Sequence, residues 1–418
     1  MDLGNYNKNV VSSLVCKAST LLYQIIAVPY CIQNVSRENF GIYSSILALN
    51  SMILLTEFGF GPIISKIAAN ANSSNDSQAL RQLFTNVAVS AVVISSALSV
   101  LFTIFFISYS SDLLKYDFAK HLVIIIAIIS VVQSTFVAIY KIQLGIDKIY
   151  YYNSCATLGN ILSALYLIIT TYLSPSVINL AYALVINVIS INFTNYIILR
   201  KSNKDITIDI NLISKNYYLK ILKFGIGLSI CYSEAHIIRE LFKISNVNYI
   251  SSDNLAKYSI LVHLFCLIYG VVTSMISPLL PITIKYRDDK IKLRKLLSRL
   301  MIAISFFSLT LFLLFIAFHN SILNFIYGPN YFLNDYSAFW FSVYTIVQLI
   351  QCILLLFLLT LVETKKFYYF FIINLISTSS LLYLFKVDSL HTVFSLMALS
   401  SILFIIIPSI LIINKHIK

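Results

Sequence analysis

The chain has 418 residues, 59% of them hydrophobic and 11% charged, with a mean hydropathy of +0.85 and a formal net charge of +13. A soluble domain carries about 25% charged residues, so the composition excludes that class and points to an integral membrane protein with no separate soluble domain. The basic surplus lies in short loops between apolar runs, as the positive-inside rule produces, and so indicates no nucleic-acid partner.

Twelve apolar spans are expected: 10–33, 42–66, 85–108, 120–140, 153–173, 177–199, 221–243, 259–284, 299–318, 336–360, 367–385 and 392–413. The first has no basic leader and no Ala-x-Ala-type site, and is read as retained. It carries Lys17 within a polar stripe of Ser13, Thr20 and Gln24. The second carries Asn50 and Glu57 one heptad apart and is followed by the polar run Asn70 to Ser77. By helical rise Lys17 and Glu57 each lie roughly 14 Å from the nearer interface. The fifth span has a third stripe, Asn153, Thr157 and Asn160. Stripes of this kind commonly join helices, as could His263, Gln348 and Gln351 further on.

The seventh span is the most polar. Glu234, His236, Arg239, Glu240 and Lys243 follow an apolar start, and the last four fall on one helical face. A charge at the centre of a membrane helix costs roughly 2.5 to 3.5 kcal/mol on insertion scales, so this stripe is expected to face protein or water. Glu234 lies roughly 16 Å deep, level with Lys17 and Glu57. Three ionisable groups at one depth suggest a common aqueous cavity; a Lys17–Glu57 ion pair that merely fixes packing is the alternative. Pro29, Pro62, Pro278, Pro281 and Pro408 mark bends within or near spans. The six cysteines and six histidines lack ligand spacing, and no metal site is expected.

An even number of spans puts both termini on one side. Assigning that side as cytoplasmic leaves all but eight of the 30 Lys and Arg in cytoplasmic ends and loops; the exceptions are Arg37, Lys115, Lys120, Lys243, Lys257 and Lys386 outside, and Lys17 and Arg239 within spans. The hydrophilic segment from Arg200 to Lys223 divides the chain into two sets of six spans, expected as bundles of residues 1–205 and 206–418. A weak repeat supports the division. Gly41-Ile42-Tyr43-Ser44 matches Ala256-Lys257-Tyr258-Ser259, and Lys148-Ile149-Tyr150-Tyr151 matches Lys366-Phe367-Tyr368-Tyr369, both at an offset near 216 residues. The fold class is therefore all-α: a polytopic membrane protein with 12 transmembrane helices in two six-helix bundles.

At Phe40-Gly41-Ile42-Tyr43, then Glu57-Phe58-Gly59-Phe60-Gly61, Ile67-Ala68 and Gln143-Leu144-Gly145, the sequence resembles the Wzx-type O-antigen and polysaccharide repeat-unit flippases. These belong to the superfamily that also holds lipid II flippases and multidrug and toxin extruders. Glu57 stands where that motif more usually has Asp. The resemblance implies a V-shaped pair of bundles around a cationic cavity in the bacterial cytoplasmic (inner) membrane. Its substrate would be undecaprenyl-pyrophosphate-linked oligosaccharide, and membrane lipids, a glycan polymerase and a chain-length regulator would be partners. On that reading Lys17 and Arg239 would receive the phosphates, and Gln24, Asn50 and Asn153 would hydrogen-bond sugar. Glu57, Glu234, His236 and Glu240 would couple transport to H⁺ or Na⁺; no other cofactor is expected. The rival readings are a lipid II flippase, an exporter of small organic cations, which should favour acidic cavity residues, and a membrane glycan polymerase, for which the outer loops hold few catalytic-type groups. The expectation is a transporter and not an enzyme.

Overall fold

The computed structural model describes the chain except residues 1–2, 55–60, 75, 110–115, 147, 203–207, 246–249, 277–282, 284–285, 287–288, 330, 362–366, 385–388 and 418. Glu57, Pro278 and Pro281 lie outside the described residues. In chain order the α-helices are α1 (Leu3–Leu22), α2 (Val28–Asn34), α3 (Arg37–Leu54), α4 (Gly61–Ser73), α5 (Ser77–Tyr109), α6 (Asp117–Gly145), α7 (Ile149–Leu173), α8 (Ile178–Ser202) and α9 (Lys215–Ser245). They continue as α10 (Ser252–Ile276), α11 (Lys290–Tyr327), α12 (Asp335–Leu361), α13 (Tyr368–Leu384), α14 (Leu390–Ser401) and α15 (Ile407–Ile417). Among the described residues nine helical stretches are long and apolar enough to cross a membrane, and α13 is a shorter apolar one. Over their described residues the expected spans fall on helices: the second covers α3 and α4, with residues 55–60 outside the described residues, and the eighth covers α10, with residues 277–282 outside them. The protein is an all-α polytopic membrane protein.

Two spans are continuous helices with one widened turn. Tyr23–Ala27 joins α1 to α2 and Ile402–Ile406 joins α14 to α15, each as a π-turn in which Val28 N–H donates to Tyr23 O and Ile407 N–H to Ile402 O. The cause lies one residue further on in each case. Pro29 and Pro408 have no N–H to give the carbonyl four residues back, and their rings crowd it. Inserting one residue into the turn moves that carbonyl aside without breaking the helix. The bends expected at these prolines are therefore π-turns.

The chain divides into two compact units, Met1–Ser229 and Ile230–Lys418. In the first, α6 packs against α3, α4, α5 and α8, while α7 lies against α1 and α8. Polar groups join these helices: Ser130 Oγ donates to Asn50 Oδ1 at 2.8 Å, and Gln143 Nε2 to Asn195 Oδ1 at 2.7 Å. The segment before α9 is strapped to α5. Arg81 pairs with Asp209 at 3.3 Å, and Asn86 grips the backbone on both sides, giving its amide N–H to Leu212 O and accepting from Ser214 N. In the second unit α12 is the central helix, packed by α10, α11, α14 and α15.

The two halves repeat local detail. Tyr43 and Tyr258 are both buried, as are Ser44 and Ser259. The tyrosine pairs that open α7 and α13 have ring centroids 4.3 Å apart (Tyr150–Tyr151) and 4.1 Å apart (Tyr368–Tyr369).

Gly145, in the Gln143-Leu144-Gly145 turn, closes α6 where it meets α4. A Cβ there would sit 2.6 Å from Ala68 Cβ and collide with the backbone carbonyl of Ser65, whereas a Cβ on Gly270 meets nothing within 4 Å. Gly145→Ala is accordingly expected to destabilise the protein by about 1–3 kcal/mol, lowering the thermal unfolding midpoint in detergent, and Gly270→Ala to leave it unchanged. Equal midpoints for the two variants would refute the close α4–α6 contact.

Candidate functional site

The charged stripe of α9 is enclosed within the second unit. Glu234 is fully buried and accepts two amide hydrogen bonds, from Gln351 Nε2 of α12 at 3.1 Å and from Asn374 Nδ2 of α13 at 2.5 Å. The amides extend the network: Asn374 Nδ2 also reaches Ser401 Oγ at 3.3 Å, its Oδ1 accepts from Thr378 Oγ1, and Thr378 Oγ1 lies 2.6 Å from Ser400 Oγ. Gln348 Nε2 donates to Ser401 Oγ at 3.4 Å. Three helices thus meet at one carboxylate held by neutral donors, and α14 joins them through Ser400 and Ser401. Such donors satisfy the oxygens while leaving the negative charge uncancelled, and that is an arrangement able to exchange an amide contact for a proton or a small cation.

One turn on, Arg239 is buried but faces no carboxylate at ion-pair distance among the described residues. Its NH1 donates to Tyr344 Oη at 2.8 Å, its guanidinium carbon lies 4.6 Å from the Phe265 ring centre, and its Nε has no hydrogen-bond partner among the described residues. NH2 points at His236 Nδ1, 3.4 Å away. A guanidinium only donates, so that nitrogen accepts, which places the proton of a neutral imidazole on Nε2. Glu240 is taken up differently: both its oxygens accept from Lys243 Nζ, at 3.2 and 2.9 Å, in a buried pair one turn long. The stripe therefore contains a self-neutralised pair, an amide-held carboxylate, and a guanidinium with donor capacity left over.

The first unit divides the remaining candidates. Asn153 is buried and gives its amide to Ser12 Oγ at 3.1 Å and Ser13 Oγ at 2.8 Å; Asn50 accepts from Ser130; Gln24 is half-buried in the first π-turn. Asn160 Nδ2 likewise reaches Ser19 Oγ and Thr20 Oγ1, and its Oδ1 accepts from Asn187 Nδ2. The polar stripe expected on the first span is thus split. Ser13 and Thr20 join α1 to α7, while Lys17, at the edge of that face, is exposed and has no ion-pair partner among the described residues. A groove of about 610 Å³ between α1 and α7 is lined by Lys8, Val11, Ser12, Tyr150, Ser154 and Thr157. Glu57, expected beside Lys17 and Asn50, lies outside the described residues.

Sequence reading missed Asn374, Tyr344, Phe265 and Ser401. The repeat held the signal for two of them. Ser19, Asn160 and Asn187 of the first unit stand about 215 residues before Glu234, Asn374 and Ser401 of the second, and each trio is joined by the asparagine of its fifth span.

Fold and site define the class: a twelve-helix, two-bundle membrane protein with the fold of the multidrug and toxin extruders. The structure is similar to an inward-facing multidrug resistance MATE family transporter of the MOP superfamily (TM-score 0.71, 15% identity, 95% of this chain and 94% of the other). It is also similar to an outward-facing one (TM-score 0.59, 15% identity, 97% and 95%). Residues 6–287 match the model of the polysaccharide biosynthesis protein family. The chain belongs to that family. A protein of Escherichia coli (strain K12) named for O-antigen transport is 30% identical over 169 residues, which cover 40% of this chain and 37% of that protein, so the match spans little more than a third of that relative's length.

The Glu240–Lys243 pair gives a test of the buried stripe. Glu240→Gln leaves an ammonium buried without its counter-charge and is expected to destabilise by about 3–5 kcal/mol, whereas the double change Glu240→Leu with Lys243→Met removes both charges and is expected to recover most of that loss. Unfolding midpoints in detergent measure both; a double variant no better than the single one would show that the pair is not self-contained.

Proposed function

We propose that the protein is a flippase that moves polyprenyl-pyrophosphate-linked oligosaccharide, an O-antigen or related surface glycan unit, from the inner to the outer leaflet of the bacterial cytoplasmic membrane by alternating access. Family membership and the likeness to a protein named for O-antigen transport support the substrate class. The observation that carries the reading is Lys17, a cation at depth in its span, exposed, and without an ion-pair partner among the described residues. An ammonium so placed is costly against lipid, and a passage for an anion is the surrounding that removes the cost. Arg239, with an unused N–H, is the second anion contact; its planar fork suits phosphate oxygens. An organic-cation exporter needs carboxylates turned to its substrate, and the described acids of α9 are instead buried and held by Gln351, Asn374 and Lys243.

Glu234 is the coupling group in this proposal, because it is the one carboxylate of the stripe held by neutral donors. H⁺ or Na⁺ would enter by replacing the Gln351 or Asn374 amide. His236 adjoins Arg239 and tunes it; Glu240 is committed to Lys243. Asn50 and Asn153 join helices, which leaves Gln24 as the sugar-contact candidate among the three polar side chains. Both termini are placed in the cytoplasm on the Lys and Arg asymmetry, with a glycan polymerase and a chain-length regulator as partners outside the chain itself.

In cells lacking the endogenous gene, Lys17→Ala and Arg239→Ala are each expected to lower surface glycan by about tenfold or more, the scale of a lost hydrogen bond to a charged group, with the protein still inserted. Lys17→Arg is expected to keep most of the activity. Full export by both alanine variants would remove the anion-passage reading. A reporter fused after Lys204 is expected to read cytoplasmic and one after Asn330 external; the reverse would overturn the orientation.

A further inference from the structure

α11 is 38 residues long, roughly 57 Å at 1.5 Å per residue, against a hydrocarbon core of about 30 Å. The overrun is basic. Lys290, Lys292, Arg294, Lys295 and Arg299 occupy its first ten positions, all exposed, and among the described residues only Lys292 is in an ion pair, with Asp289 at 2.9 Å.

The direction these bases face follows from helical geometry. Ile302, Leu309 and Leu313 are exposed apolar residues at intervals of seven and four, the outward stripe that meets lipid. Traced back by four, three and four residues, the same stripe runs through Ser298 and Lys295 to Ile291, which is 82% exposed. Arg294 and Arg299 flank it, and the opposite side is closed by fully buried Leu293. The bases thus continue the lipid-facing stripe of α11 where it leaves the hydrocarbon. Their long stems can lie along apolar surface while the charged ends sit at headgroup level.

We propose that the first ten residues of α11 form a binding surface for the anionic headgroups of membrane phospholipids, with Arg294, Lys295 and Arg299 on phosphate. The occupant is assigned by charge complementarity and by direction: four bases without an ion pair among the described residues, on the face of α11 that continues its exposed apolar stripe. Clusters of four or more such residues beside a membrane span attract anionic lipid, each contributing about fivefold in binding. The surface is independent of what the protein carries.

The test uses purified full-length protein in zwitterionic detergent, probed with fluorescent phosphatidylglycerol and, separately, fluorescent phosphatidylcholine. The wild type is expected to retain the first and not the second, with retention falling as salt rises. The variant K290Q/R294Q/K295Q/R299Q is expected to bind about tenfold or more weakly; a control with as many charges removed elsewhere, K8Q/R200Q/K201Q/K415Q, is expected to change by less than about twofold. Should the quadruple variant fail to fold, R294Q, K295Q and R299Q singly carry the test, each with a loss of a few-fold. Unchanged binding in the patch variants, equal loss in the control, equal retention of phosphatidylcholine, or displacement by millimolar inorganic phosphate would each overturn the proposal, the last by assigning the patch to free phosphate.

Discussion

Within the hydrocarbon layer there is no water to complete a polar group, so each amide, hydroxyl and charge on these helices must find its partner in the protein. The packing follows from that requirement as much as from the apolar surfaces. Gln143 and Asn195 close on each other between α6 and α8, Asn153 and Asn160 tie α7 to α1, and Ser130 ties α6 to α3. Of the buried polar atoms without a hydrogen-bond partner among the described residues, two lie at the candidate site. Arg239 retains a free N–H, and Gln351 retains an unpaired Oε1 beside the Glu234 carboxylate. Buried polar atoms without partners are uncommon, and these two lie on α9 and on α12, which packs beside it through the Gln351–Glu234 hydrogen bond.

Much of the architecture was legible because its signal is long and repeated. Twenty consecutive apolar residues need no tertiary information to be read as a span, and the charges of α9 contradict their surroundings strongly enough to demand enclosure. Partners were harder, because a stripe gives a helix face but not what the face meets. Lys17 shares a stripe with Ser13 and Thr20, yet α7 takes the hydroxyls and leaves the lysine exposed. Arg239 stands one residue from Glu240, yet Lys243 takes the carboxylate and Tyr344 takes the guanidinium. Asn374 shares a short stripe with Ser377 and Thr378, but its importance appears only through Asn160, its counterpart in the other half. The prolines gave the position of the bends but not their form, since a π-turn and a broken helix begin from the same missing N–H.

The functional reading rests on a division of labour among charges. Glu240 and Lys243 cancel within one turn and add no net charge to the second unit. Glu234 and Arg239 do not cancel each other directly, because neutral side chains intervene at each: amides at the carboxylate, a phenol and an aromatic ring at the guanidinium. An ionic group satisfied by neutral neighbours keeps its field, and so stays available to a ligand of opposite sign. A direct Glu234–Arg239 bridge would have silenced both.

The duplicated asparagine joint has a further consequence. In the first unit Asn160 fastens Ser19 to Asn187, and every atom in the joint is neutral; in the second Asn374 fastens Glu234 to Ser401, and one member carries an acid. A hydroxyl joint has the same strength whatever the proton or cation activity around it. A carboxylate joint does not, because an occupant on the oxygen removes the reason for the amide to stay. The two joints thus differ in one respect: the first is built from neutral groups alone, and the second includes an acid, the only kind of member that can take up a proton or a cation.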